Sequence, residues 1–248
     1  MRAAWIIRLC LWALLCLFLL APQLFTGLLQ PLTRENAPVI YNQGSLWELT
    51  LVHLALTGAA TLLASIVAVG LAVLVTRPFG AEFLPLSRSL ANIGQTFPPV
   101  AVLALAVPIM GFGSAPTLVA LFLYGLLPIF ENTLTGLTTL SGPVREAAKG
   151  VGMTASQRLL RVELPLAAPI ILAGIRVSAV ISLGTATIGS TVAARTLGEV
   201  IIAGLLTNNI AFIVQGGAIV GVLAILIYDA LTQIERHFAR WLPANLKR

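Results

Sequence analysis

The chain has 248 residues, of which 58% are hydrophobic and only 10% charged. A soluble domain carries roughly 25% charged residues, so this composition excludes a water-soluble globular protein and requires one solvated by lipid. The formal net charge of +6 does not point to nucleic acid, because the basic residues gather in short loops and at both ends, as membrane topology demands.

A helical span takes about 20 apolar residues. The chain has room for six, which predicts an all-α polytopic membrane bundle over 1–248 as a single domain. Arg2 and Arg8 precede a long apolar core, as in a signal peptide, but the apolar stretch continues past Pro22 and no A-x-A-like site follows it. We read an uncleaved first span over 4–29, bent at Pro22, and then a polar external loop over 30–47. The second span covers 49–75. Gly58, Ala59, Thr61, Ser65 and Gly70 in it are small residues of the kind that let helices pack closely in lipid, and His53 reads as a hydrogen-bonded bundle residue. The third span, 90–110, carries Gln95, Pro98 and Pro99. Two consecutive prolines remove two amide donors and bend the helix, which membranes tolerate where protein or water supplies new partners.

The fourth span, 116–140, is expected to break at Pro128 and then carries Glu131 and Asn132. Counted at about 1.5 Å per residue, Glu131 lies inside the bilayer and needs a partner, a proton or water. The fifth span, 165–192, places Arg176 roughly 16 Å deep by the same rise. Comparable depths on consecutive spans predict a Glu131–Arg176 ion pair or shared water. The run from Gly184 through Thr185 and Thr187 to Gly189 makes the outer half of this span thin and polar. An amphipathic external segment with Glu199 follows over 195–209, read as a short helix across the outer mouth, and the sixth span covers 210–231 before a basic tail.

Twelve basic residues fall on one side of this layout: Arg2, Arg8, Arg77, Arg88, Arg145, Lys149, Arg158, Arg161, Arg236, Arg240, Lys247 and Arg248. Only Arg34 and Arg195 fall on the other, which predicts cytoplasmic termini. Trp5, Trp47 and Trp241 fall near the expected interfaces. Cys10 and Cys16 read as small apolar side chains, and neither they nor His53 and His237 have metal-ligand spacing. No GxxxxGK[ST] phosphate loop occurs, so the chain lacks that chemistry for ATP hydrolysis.

The stretch 144–165 is too charged for hydrocarbon. Val144, Ala147, Ala148 and Val151 form an apolar stripe on a short helix. Gly150 and Gly152 allow a turn, and Thr154 to Gln157 has capping-box spacing. Ala155, Leu159 and Val162 share a face of the second helix, which Leu164-Pro165 is expected to close. This is a helix–turn–helix offered to something soluble.

Glu146-Ala147-Ala148, then Gly152, then Val162-Glu163-Leu164-Pro165 resembles the EAA loop of binding-protein-dependent ABC importer permeases, with Val162 where that family usually has Ile. The resemblance implies a cytoplasmic coupling helix that docks on an ATPase through Glu146, Ala147, Ala148, Gly152, Val162, Leu164 and Pro165. Over 46–231 the chain is similar to the osmoprotectant permeases for glycine betaine, choline, carnitine and proline betaine. The similarity is carried by Thr96-Phe97-Pro98-Pro99, Gly111-Phe112-Gly113, Leu126-Leu127-Pro128, Asn132-Thr133-Leu134, Ala173-Gly174-Ile175-Arg176 and Gly184-Thr185-Ala186-Thr187. Glu131 departs from it, since relatives often carry a basic residue there.

The resemblance implies an inner-membrane ABC importer type I permease. Its partners would be cytoplasmic ATPase subunits, a periplasmic substrate-binding protein and a second permease, identical or paralogous, all in membrane lipid and without nucleic acid. No cofactor is expected in this chain; ATP and Mg belong to the ATPase. The passage is expected to involve Gln95, Pro98, Pro99, Glu131, Asn132, Arg176, Thr185 and Thr187. Selection is expected in the binding protein, through cation–π capture of quaternary ammonium. The alternatives are a permease for another solute, such as methionine or phosphonate, and a secondary transporter, for which only Glu131 and Asp229 could begin a proton relay.

Overall fold

The computed structural model describes residues 2–240, and among them the structure is helix and turn without strand. Trp241, Lys247 and Arg248 lie outside the described residues. Helix α1 is Arg2–Leu20. It ends where Pro22 can no longer donate, and the short helical turns of Pro22–Leu32 leave it at 106°. The bend expected at Pro22 is present and sharp, and α1 with the turns that follow it forms a bent pair long and apolar enough to be one span. Helix α2, Leu46–Val75, starts before the expected 49 and takes in Trp47. Helices α3 (Leu84–Thr96) and α4 (Pro99–Met110) meet at 97°, so the double proline makes a full break. The amides of Ala101 and Val102 both bond to Pro98 O and start α4 directly behind it.

Helix α5, Ser114–Thr138, passes through Pro128, which corrects the break expected there. Pro128 has no amide hydrogen for the carbonyl of Tyr124, four residues back. Gln95 Nε2 donates to that oxygen at 2.9 Å, so the helix continues with its acceptor satisfied. Helix α6 is Gly142–Gly150.

Helix α7 runs unbroken over Ala155–Ala186, so Leu164-Pro165 closes nothing. Its turn at Leu159–Glu163 is π-helical. The extra residue in that turn carries the Arg161 carbonyl away from the Pro165 ring, which would otherwise clash with it. Helix α8, Gly198–Thr207, is the short helix expected outside the spans, and α9, Ile210–Ala239, extends two turns beyond 231. Among the described residues, four helices, α2, α5, α7 and α9, are long and apolar enough to cross a bilayer, and the two bent pairs raise the number to as many as six.

The chain divides into two compact units built from alternating segments. The unit of residues 1–60, 97–121 and 180–227 has a core of Leu15, Tyr41, Leu49, Leu197, Phe212 and Ile219. The loop ahead of α2 is pinned to α8 and α9 here. Asn209 donates to Pro38 O and Gln215 Nε2 to Val39 O, both at 2.8 Å, and Gln215 Oε1 accepts from Tyr41 N at 3.1 Å. Tyr41 also donates to Glu199 at 2.8 Å. Burial, then the bond to Glu199, raises the phenol well above its ordinary range, so it remains a donor at physiological pH. His53 is fully buried with Nε2 3.1 Å from Leu183 O, the bundle role expected of it.

The unit of residues 61–96, 122–179 and 228–248 packs on Ala64, Ala68 and Ala72, all at 0% exposure, with Ala91, Ile129 and Phe130. The close-packing face of α2 in this unit is this ladder of three alanines spaced four residues apart. Gly58 and Gly70, expected to serve closeness, have open space where a Cβ would be. Within this unit Gly94 brings α3 against the backbone of α5, where a Cβ would sit 2.0 Å from Leu123 O.

Candidate functional site

The segment 144–165 lies wholly in the second unit. Helix α6 starts at Gly142-Pro143, a proline position that wastes no donor. It ends in a turn in which Gly152 N bonds to Lys149 O at 2.9 Å and Met153 N to Ala148 O at 3.2 Å. Gly152 adopts φ +80°, a backbone region glycine enters without penalty. The capping box is present. Thr154 Oγ1 accepts from Gln157 N at 3.3 Å, and Gln157 Oε1 accepts from Thr154 N at 2.9 Å.

The expected apolar stripe of α6 divides between two faces. Ala148 is buried against the bundle and Val144 partly so, while Ala147 and Val151 point outward with Glu146. Val151 is 75% exposed and Leu160, on the π-helical turn of α7, 64%. Val162 and Leu164 are half-buried and Pro165 exposed. The anchor is Glu163, 7% exposed, whose carboxylate meets Arg77 Nη2 at 2.5 Å. Arg145 adds a second tie, donating through Nη2 to Leu137 O. Breaking a buried ion pair by removing one partner typically loses about 3 kcal/mol or more, so the segment is held firmly at its base while its apolar tip stands free.

Of the residues expected along the passage, Gln95, Glu131, Asn132 and Arg176 belong to the second unit, and Pro98, Pro99, Thr185 and Thr187 to the first. The expected Glu131–Arg176 pair is replaced by two separate pairs. Glu131 accepts from Arg88 on α3 in two-pronged fashion, Nε to Oε1 at 2.6 Å and Nη2 to Oε2 at 3.1 Å. Arg176 on α7 meets Glu235 on α9 at 2.5 Å and Thr232 at 3.0 Å, with its guanidinium 4.8 Å from the Tyr228 ring centroid. Asn132 donates to Pro128 O at 2.8 Å. Thr187 Oγ1 bonds to Gly184 O at 2.7 Å at the end of α7, and Thr185 is half-buried on its last turn. Arg77, Arg88, Glu163 and Glu235 escape sequence reading as site residues. Their partners lie 43 to 86 positions away, beyond any local spacing rule.

Residues 68–241 match the model of the binding-protein-dependent transport system inner membrane component, and the chain belongs to that family of ABC importer permeases. It is a multi-pass inner-membrane transport component. Over 208 residues it is 39% identical to the choline transport system permease protein OpuBB of Bacillus subtilis (strain 168), with 84% of this chain and 93% of that protein covered. It is 41% identical over 196 residues to the glycine betaine/carnitine/choline transport system permease protein OpuCB of the same organism, covering 79% and 89%. With the osmoprotectant import permease protein OsmY of Salmonella typhimurium it shares 38% over 187 residues, covering 75% and 79%. Its fold is similar to a chain of the inward-facing MetNI methionine ABC transporter, with a TM-score of 0.70 at 20% identity over 80% of this chain and 99% of that one.

Proposed function

We propose that the chain forms the translocation pathway of an ATP-driven importer for an osmoprotectant such as glycine betaine, choline or another quaternary ammonium compound. The observation that carries this reading is the segment 144–165, with Ala147, Val151 and Leu160 exposed on a scaffold fixed by Arg77–Glu163. Such a projection suits a rigid lever that a soluble ATPase grips, and ATP-driven closure of the ATPases would move it. The names of the relatives support the substrate class. ATP and Mg belong to the ATPase partners, a periplasmic binding protein delivers the solute, and a second permease, identical or paralogous, completes the passage. Both termini and the coupling segment face the cytoplasm.

Reconstituted with its ATPase and binding protein, the chain is expected to import glycine betaine or choline with ATP. Exchanging the aromatic residues of the binding protein's cage for alanine should remove uptake more completely than Thr185→Ala or Thr187→Ala here. Uptake of methionine or a phosphonate, with none of glycine betaine or choline, would overturn the substrate assignment and leave the importer reading standing.

A further inference from the structure

Besides Arg77–Glu163, the described residues of the second unit form two ion pairs between helices, and these are built differently. Arg176–Glu235 is enclosed, with side chains 16% and 25% exposed, and is backed by Thr232 and the Tyr228 ring. It has the form of a brace. Arg88–Glu131 is open, with side chains 51% and 36% exposed, and among the described residues the structure gives Glu131 no partner but Arg88. The helix carrying Arg88 has three faces. Ser87, Ala91 and Gly94 are buried, the last against α5. Leu86, Leu90 and Ile93 form an exposed apolar stripe, and Arg88, Asn92 and Gln95 form a separate exposed polar one. On α5, Glu131 continues into the exposed Thr135 one turn on. A half-exposed carboxylate and guanidinium with no further protein partners cannot face hydrocarbon, so this polar strip faces water.

We propose that Arg88 and Glu131 line the aqueous passage and open to let the solute through, exchanging their mutual contact for contacts to a charged solute. The inference rests on the osmoprotectant reading above. A zwitterion such as glycine betaine satisfies both groups at once, its carboxylate meeting Arg88 and its quaternary nitrogen meeting Glu131. Choline, a cation without a carboxylate, compensates Glu131 only and leaves Arg88 unpaired. The pair therefore favours passage of zwitterions over simple cations, while selection at capture stays with the binding protein.

The test uses the whole complex in proteoliposomes, with Cys10→Ser and Cys16→Ser as background. Arg88→Cys and Glu131→Cys should each react with a membrane-impermeant cationic thiosulfonate, more slowly when solute is being transported. Arg88→Gln should shift the ratio of glycine betaine to choline uptake toward choline by roughly fivefold, the size of one screened ion pair. Arg88→Lys, which keeps the charge, should hold the wild-type ratio. Glu131→Gln should slow both solutes. Unreactive cysteines, or an unchanged ratio in Arg88→Gln, overturn the inference while the osmoprotectant reading stands. Uptake of neither solute by the wild-type complex overturns that reading, and the inference with it.

Discussion

At the scale of single residues, the contact between Gln95 and Tyr124 O explains how a proline sits inside a membrane helix without ending it. Pro128 withdraws one donor, and Gln95, delivered from α3 by the close approach at Gly94, supplies another. Gln95→Leu should remove that donor at a loss of about 1 to 3 kcal/mol, read as a lowered unfolding midpoint in detergent. In a Pro128→Ala background the helix recovers its own donor, so the same substitution should become close to neutral. An equal loss in both backgrounds would show that Gln95 is not the replacement. Sequence reading singled out Glu131 and Arg176 as residues that need a partner inside a membrane, and the structure gives each an ion pair. Depth along a helix was enough for that. It was not enough to name partners, because depth carries no information on how each helix is rotated, and Arg88 and Glu235 lie on helices that the depth argument did not compare.

At the scale of elements, the coupling segment is legible because its signals are local. The capping box at Thr154, the turn at Gly152 and the helix over Gly142–Gly150 each depend on residues a few positions apart. What escapes is non-local. The π turn at Leu159–Glu163 converts an expected stop at Pro165 into one continuous helix, and the buried face of α2 is chosen by its neighbours, which take the alanines and leave Gly58 and Gly70 open. The segment's role can be tested at Gly152. A Cβ there meets nothing within 4 Å, so the first atom of a new side chain enters open space. The remaining effects are backbone strain at φ +80°, about 1 to 2 kcal/mol for an ordinary residue, and bulk toward the ATPase. Gly152→Asp should insert normally yet lose ATP-driven uptake, with ATPase binding weakened or its turnover uncoupled. Gly152→Ala, with comparable strain and little bulk, should retain most uptake. Full uptake by a stably inserted Gly152→Asp variant would exclude the coupling role.

At the scale of the whole molecule, charge and packing divide the chain in similar ways, although neither is derived from the other. Among the described basic residues, Arg2, Arg8, Arg34 and Arg195 belong to the first compact unit, and Arg77, Arg88, Arg145, Lys149, Arg158, Arg161, Arg176, Arg236 and Arg240 to the second, which also contains the segment 144–165. Loops rich in Lys and Arg stay on the cytoplasmic side during insertion. On the topology proposed above, the loops with Arg77 and Arg88 and the segment 144–165 are cytoplasmic, and Arg34 and Arg195 are external. Arg2 and Arg8 are the exceptions to the packing division but not to the charge rule, since they lie in the first turns of α1, at the end proposed to be cytoplasmic. The orientation can be read with a membrane-impermeant maleimide after replacement of Cys10 and Cys16 by serine. Lys149→Cys should label only in inverted vesicles, where the cytoplasmic face is outward, and Arg34→Cys only in intact spheroplasts. Labelling of Lys149→Cys from the outside would reverse the topology and detach the segment 144–165 from any cytoplasmic ATPase.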